Sequence, residues 1–189
     1  MDIPLQHEIR TPRLTLRRMI MADAPRVHEI QSNWNVARML RMAPFPPTVG
    51  GIRDWLSLFQ GQWISGTAYR FAVLAKARVI GCADVDEIAS GSGELGFWFD
   101  EAYWGRGLAG EAAPAVLNFA FETAGLERLL SGHAADNPAS GRVLGKLGFR
   151  WIGDVELWSR SRQESIIQRQ YERVATANEA VPLQQSPIR

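Results

Sequence analysis

Gly105, Gly107 and Gly110 stand together in EAYWGRGLAGEAAPAVLNFAF, positions 101 to 121, and an apolar-striped segment follows them at once. Glycines at that density let the backbone take positive φ and come close to a ligand. A helix starting there adds unpaired N–H groups and the positive end of its dipole. The combination suits an anion, above all a phosphate. What is missing narrows the kind of phosphate site. No Gly-Lys-Ser/Thr follows, so a Walker-type nucleotide loop would lack its phosphate lysine and its magnesium hydroxyl. The glycines are spaced two and three apart after a mid-chain strand, which fits the dinucleotide-binding fingerprint poorly.

A second motif lies further on, in DNPASGRVLGKLGFRWIG from Asp136 to Gly153. Taken with ELGFWF (94 to 99), WGRGLAGEA (104 to 112) and NPASGRVLGKLGF (137 to 149), it resembles the GNAT superfamily of N-acetyltransferases, which use acetyl-CoA. The branch it most resembles is the RimJ/RimL type, named for ribosomal-protein N-terminal acetylation. TPRLTLRRM (11 to 19) and PFPPT (44 to 48) are also typical of that branch, so the resemblance spans about residues 10 to 174.

The resemblance implies an α/β (α+β) GNAT fold: a mixed, mostly antiparallel sheet of about seven strands, splayed open at the CoA site and flanked by about four helices. It implies direct transfer of an acetyl group to a primary amine in a ternary complex, with acetyl-CoA as co-substrate and no metal. The backbone of Gly105, Arg106, Gly107, Leu108, Ala109 and Gly110 would cradle the pyrophosphate, with the Arg106 guanidinium as an added contact. Many relatives begin this motif with Gln or Arg, where Trp104 stands here. Phe97, Trp98 and Phe99 would offer main-chain groups to the pantetheine arm, and an N–H there would face the developing oxyanion. Asn137 would bind a pantetheine amide or cap the helix opened by Pro138. Many members carry a tyrosine seven residues after this asparagine to protonate the thiolate. Leu144 holds that place here, and Ser140, one helical turn earlier on the same face, is the replacement candidate. Glu94 would orient or deprotonate the amine, with His133 and Asp136 as fallbacks.

The elements that must position these groups follow from periodicity. LTLRR (14 to 18) reads as a strand, Asp23 as the cap of a helix running to about Trp34, and Thr48 as the cap of another reaching Ile64. YRFAVLA (69 to 75), VIGCADVDEI (79 to 88) and ELGFWF make a meander. After the glycine loop, Leu108, Ala112, Ala115, Val116 and Phe119 form a buried helical stripe. RLLSGHA (128 to 134) is a strand, 138 to 147 a short helix, and 150 to 158 with 165 to 174 a closing pair. Residues 1–175 read as one domain and 176–189 as a polar tail.

Composition sets limits. Twenty-one basic and twenty acidic side chains leave a net charge of +1, no electrostatic reason to expect nucleic acid or an anionic membrane. Cys82 is alone, and neither a signal peptide nor a membrane-length apolar run is evident, so a cytoplasmic protein, monomer or homodimer, is expected. Trp34, Asn35, Phe45 and Trp63, with Trp151, are the aromatic and polar candidates for an acceptor pocket. From Gln31 to Gly66 the charges are Arg38, Arg41, Arg53 and Asp54, which argues against a polycationic acceptor. Arg160, Arg162, Arg169 and Arg173 alternate with Glu164 and Glu172 and read as a solvated face. The acceptor is then a peptide N-terminus or a small amine. A detoxifying small-molecule acetyltransferase and a non-catalytic acyl-CoA sensor are the alternatives.

Overall fold

Lys76 and Ala77 join two long strands with φ of 48° and 64°, and Ser90 and Gly91 join the next pair with φ of 49° and 75°. Both are two-residue turns with positive φ throughout, the geometry that matches strand twist. They build the centre of the sheet: β3 (Tyr69–Ala75), β4 (Arg78–Ala89) and β5 (Ser92–Phe99). The structure, a computed structural model, describes residues 3–176 and Glu179. Most of the tail expected over 176–189 therefore lies outside the described residues. Outside the meander are β1 (Glu8–Arg10), β2 (Thr15–Arg18), β6 (Arg128–Ala134), β7 (Arg150–Ser159) and β8 (Glu164–Val174), giving an eight-stranded sheet in the order β1-β2-β3-β4-β5-β6-β8-β7. The strand β1 was not foreseen, because three residues are too few to show alternation.

Every neighbouring pair is antiparallel except β5 and β6. That parallel pair is short: Ser92, Gly93 and Glu94 face Arg128, Leu129 and Leu130, and pairing then stops. From Leu95 onward the two strands part, so the expected splay lies where the glycine-loop strand leaves the sheet.

The helices are α1 (Ala24–Gln31), α2 (Trp34–Ala37), α3 (Val49–Ser57), α4 (Phe59–Ser65), α5 (Ala109–Asn118) and α6 (Pro138–Lys146). Strand alternation divides the core in two. One face carries Ala72 and Cys82 against Val27 of α1 and Ile52 and Leu56 of α3. The other carries Phe71, Val73, Val85 and Leu95 against Ala112 and Val116 of α5. The α5 stripe is as expected, with Ala115 half-buried. None of the helices among the described residues is long and apolar enough to cross a membrane.

Two helix assignments change. Thr48 caps as expected, its side chain accepting the Gly51 N–H, but the helix breaks at Leu58. The break lets Phe59 stay with the first core while Trp63 joins the second. Asp23 does not cap α1: its carboxylate accepts the Ile20 N–H at 2.9 Å and takes both Arg17 guanidinium nitrogens at 2.8 Å. The helix ends at Gln31, and Asn33 caps the separate turn α2 by accepting the Asn35 N–H.

Candidate active site

The glycine loop is held from both ends. Trp104 Nε1 donates to the Phe99 carbonyl at 2.9 Å, fixing the loop to the end of β5. Glu111, in the first turn of α5, accepts from Thr11 Oγ1 at 2.5 Å, from the Arg13 N–H at 2.7 Å and from Arg13 Nε at 2.5 Å. Arg13 Nη1 also donates to the Arg106 carbonyl at 2.9 Å. The Thr-Pro-Arg segment before β2 is thus the clamp on the loop. Burial alone would raise the Glu111 carboxyl, but bonds from Thr11 and Arg13 hold it below the usual range. The Arg106 guanidinium lies over the Tyr103 ring at 5.4 Å, exposed at the rim.

Gly105 and Gly107 have φ of 73° and 72°, so the turn itself needs them. Gly110 sits inside α5, and a Cβ there would meet nothing within 4 Å. Among the described residues, Glu111 and Ala112 donate to the Leu108 carbonyl, while the N–H groups from Gly105 to Gly110 have no partner. Those donors at a helix entrance form the anion cradle. The two kinds of glycine separate by experiment. Gly110→Val has room and should leave stability within about 0.5 kcal/mol, yet weaken CoA binding about tenfold or more, as a lost close approach worth about 1.4 kcal/mol requires. Gly107→Val should lower Tm as well. Calorimetric CoA titration of both checks this, and normal CoA binding by Gly110→Val would refute the close approach.

Beside the loop, the gap between β5 and β6 opens a cleft of about 520 Å³ bordered by Phe97, Phe99, Gly107, Asn137 and Ser140. Leu95 C=O accepts from Ser131 Oγ at 2.7 Å, and Phe99 C=O from Trp104, so both point into the gap. Strand alternation places the Phe97 N–H and C=O there too, facing no strand. Phe97 packs its ring toward the α5 core and Trp98 toward the α3 core, so the backbone supplies the polar groups.

Asn137 Oδ1 accepts the Ser140 N–H at 3.4 Å, and Asn137 Nδ2 donates to Ser140 Oγ at 3.0 Å. The asparagine is the helix cap and also fills an acceptor position of the serine, leaving the hydroxyl proton free to be given away. Leu144 is 1% exposed and belongs to the main core while bordering the cleft. His133 lines both clefts but is engaged within the fold: Nδ1 lies 2.8 Å from the Ala134 carbonyl, Nε2 lies 3.3 Å from the Tyr171 hydroxyl, and the ring stacks on Tyr171. Asp136 accepts from Arg162 Nη1 at 3.0 Å and Nη2 at 2.9 Å and also pairs with Arg38. Bonds from Arg162 hold its carboxyl below the usual range against some burial, which unsuits it as a base.

A second cleft, of about 570 Å³, meets the first along Leu95, Gly96, Phe97 and Trp98. Glu94 lines it as expected, and so do Asp84 and Asp86, which sequence reasoning passed over. Register puts Asp84 opposite Gly96 and Asp86 opposite Glu94, so all three carboxylates share one face of the sheet. The signal was present: aspartates two apart in an otherwise apolar central strand must share a face. Burial and then Asp86 push the Glu94 carboxyl up against the pull of Arg41. Burial, then Asp86, push Asp84 from the usual 3.8 up to about 7, opposed by Arg70 and assisted by Glu94. Folding therefore favours protonated Asp84. Its stability contribution is full below about pH 4 and lost as pH rises toward 7. Asp84→Asn escapes that loss, so its Tm should exceed the parent's at pH 8 and match it at pH 4; equal Tm at both would refute the shift.

The acceptor candidates need correction. Trp63 is 2% exposed, its Nε1 bonded to the Ile3 carbonyl at 3.1 Å, deep in the core. Trp34 and Phe45 pack on each other at a tilt of 56°, ring centroids 4.9 Å apart, outside both clefts. Asn35 and Asn33 are engaged with Glu101, at 2.9 and 2.6 Å. Trp151 is 60% exposed on β7, bonded to Asp154. The wall opposite the carboxylates is instead Met39 to Pro44, Trp55 and Arg160. The arginines of the closing hairpin are not uniformly solvated, since Arg162 is buried on Asp136 and donates to the Arg38 carbonyl at 2.7 Å. That contact, with the Arg160 N–H on the Arg41 carbonyl, ties the hairpin to the chain over the second cleft.

Comparison with known proteins identifies the fold and the family. An uncharacterized N-acetyltransferase, p20, of Bacillus licheniformis is 28% identical over 156 residues, 80% of this chain and 87% of that protein. The RimL ribosomal L7/L12 alpha-N-protein acetyltransferase in complex with coenzyme A has a similar fold, with a TM-score of 0.79 at 18% identity, covering 89% of this chain and 98% of that one. So does the ribosomal-protein-S5-alanine acetyltransferase of Vibrio fischeri, with a TM-score of 0.78 at 19% identity, covering 89% and 97%. Residues 13–150 match the acetyltransferase (GNAT) domain, most of the chain, from Arg13 of the clamp through the split between β5 and β6. The chain belongs to the GNAT family of N-acetyltransferases.

Proposed function

We propose that the protein moves the acetyl group of acetyl-CoA to the α-amine of a peptide or protein N-terminus, by direct attack in a ternary complex in the cytoplasm. The observation that carries this is the free edge of β5 beyond Glu94, whose residues Leu95 to Trp98 both clefts share. One cleft has anion-binding N–H groups at its end and the other has carboxylates, so a phosphate-bearing donor and a cationic acceptor would meet at one strand. The RimL structure named above, an alpha-N-protein acetyltransferase, supports the N-terminal acceptor, and the Vibrio fischeri one supports a protein acceptor.

Acetyl-CoA supplies a thioester whose carbonyl carbon gains a C–N bond as its C–S bond breaks. In this reading the glycine-loop N–H groups hold the pyrophosphate and the Phe97 N–H faces the oxyanion. Glu94, its carboxyl raised by burial and Asp86, takes the amine's proton, directly or through water. Ser140 gives its hydroxyl proton to the leaving thiolate and regains one from the acylated nitrogen, which sheds its second proton directly or through water.

A panel of peptides and primary amines with acetyl-CoA, read by thiol release, tests the reaction. Turnover on a free N-terminus is expected; CoA binding with no turnover on any acceptor would instead make the protein an acyl-CoA sensor. Saturating acetyl-CoA should raise Tm by several degrees, since a ligand at a hundred times its Kd adds about 2.7 kcal/mol. Glu94→Gln gauges the acceptor. An α-amine with pKa near 8 is about one-tenth neutral at pH 7, so the population part of the loss should be about tenfold, whereas a lysine at about 10.4 would lose more than a hundredfold. A loss that fades as pH rises above 8 is expected; a loss constant with pH would remove Glu94 as the base.

A further inference from the structure

Met39 and Leu40, on the turn after α2, border both clefts together with Leu95 to Trp98 of β5. The turn is the part of the shared wall that does not belong to the sheet. It stands where a thioester in one cleft and an amine in the other would meet. The turn between β7 and β8 grips it at both ends. Arg160 N–H donates to the Arg41 carbonyl at 2.7 Å, and Arg162 Nε donates to the Arg38 carbonyl at 2.7 Å. Arg162 Nη2 also lies 3.7 Å from the Met39 sulfur.

Arg162 is itself pinned. Its fork closes on Asp136, with Nη1 at 3.0 Å from Oδ2 and Nη2 at 2.9 Å from Oδ1, and the Arg38 guanidinium reaches the same carboxylate. Asp136 immediately precedes Asn137, the cap of α6, so one carboxylate joins the turn over the clefts, the hairpin and the helix that carries Ser140. The Arg162 side chain is 9% exposed. A buried ion pair is a poor source of stability, because desolvation offsets most of its attraction. What it fixes is geometry. A planar fork takes a carboxylate with two nitrogens and a carbonyl with the third, a pattern that a lysine ammonium cannot reproduce. The geometry fixed here is that of Met39 and Leu40 over the junction, where water competes with the amine for the thioester carbonyl carbon. Attack by water forms a C–O bond as the C–S bond breaks and gives acetate. One proton of the water goes to the CoA thiolate and the other to solvent.

We propose that Arg162 is a positioning residue for the transfer: pinned by Asp136, it bolts the Met39–Leu40 turn over the junction of the two clefts and keeps water from the thioester. This rests on the acetyl-transfer reading and adds to it what makes the transfer selective for the amine. The bolt acts by population. Each bond lost from it shifts the turn toward an open form that admits water, and hydrolysis rises with the share of that form.

Hydrogen exchange on the free protein tests the bolt without any reaction. Arg162→Lys keeps the charge and loses the fork, so the peptide from Val36 to Met42 should exchange about tenfold faster, the scale of one lost charge-assisted bond, while peptides of α5 keep the parent rate. With saturating acetyl-CoA and no amine, the same variant should release thiol about tenfold faster than the parent. With amine present, it should release more thiol than it forms amide, whereas the parent should give the two in equal amounts. Met39→Ala leaves every bond of the bolt in place and should leak as well, because it opens the junction directly. Arg38→Gln removes only the outer pin and serves in the same comparison if Arg162→Lys does not fold. Parent-rate exchange from Val36 to Met42 in the bolt variant, or equal thiol and amide from both it and Met39→Ala, would overturn the proposal. A parent protein that acetylates no amine defeats the acetyl-transfer reading itself. A parent that forms amide while its variants neither exchange faster nor leak defeats the bolt alone.

Discussion

Replacing Ser140 with alanine is expected to lower kcat by about 10²-fold or more, the low end for a positioned acid, with CoA affinity nearly unchanged. The geometry is specific. Asn137 donates to Ser140 Oγ at 3.0 Å, so the hydroxyl has its proton to give, and the helix cap depends on the Ser140 backbone rather than its side chain. Alanine therefore keeps the cap and leaves Asn137 Nδ2 at a cleft open to water. Stopped-flow thiol release beside CoA calorimetry separates the cases. Loss confined to KM would make Ser140 a binding residue, and turnover at the parent rate would leave solvent as the proton source. A tyrosine at position 144, where many members carry their acid, is a poor remedy. Leu144 is 1% exposed and belongs to the main core. The added bulk should cost about 1–3 kcal/mol, so Leu144→Tyr in the Ser140→Ala background is expected to lower Tm and recover little rate.

The sequence displayed the site where local rules apply. Glycines 105 and 107 read as positive-φ turns, and Asn137 before Pro138 reads as a helix cap, because each depends on neighbours a few residues away. The split between β5 and β6 came from family resemblance, since no local pattern announces where a parallel pairing stops. What stayed hidden depends on long-range register. Asp84 and Glu94 share a face only once β4 and β5 are paired, and Arg162 meets Asp136 only because β8 lies beside β6. The charge count from Gln31 to Gly66 argued against an acidic acceptor site. It examined the helical half of the wall, whereas the acids rise from the sheet beneath. Aromatic residues misled for a related reason: periodicity tells which side of a helix is apolar, not whether that side faces a core or a cleft.

Trp63 makes that distinction measurable. Trp63→Ala is expected to cost about 3–5 kcal/mol, the range for deleting a buried large aromatic, and to lower Tm by about 10 °C for a chain of this size. The ring meets Tyr69 edge-on at 5.0 Å and Phe71 at 5.3 Å, and lies 6.3 Å from Phe119. Its indole N–H is bonded to the Ile3 carbonyl, so alanine leaves both a cavity and an unpaired carbonyl near the N-terminal segment. Neither cleft borders this cluster. Measured well below its Tm, the variant should therefore bind CoA with the parent's affinity and show the parent's KM for the acceptor. A rise in KM without a fall in Tm would put Trp63 in the acceptor pocket after all. Trp55 offers the contrast: it lines the second cleft and meets Phe59 edge-on at 4.7 Å. Trp55→Ala should change KM for the amine more than it changes Tm, so the two tryptophans of α3 and α4 report the cleft and the core separately.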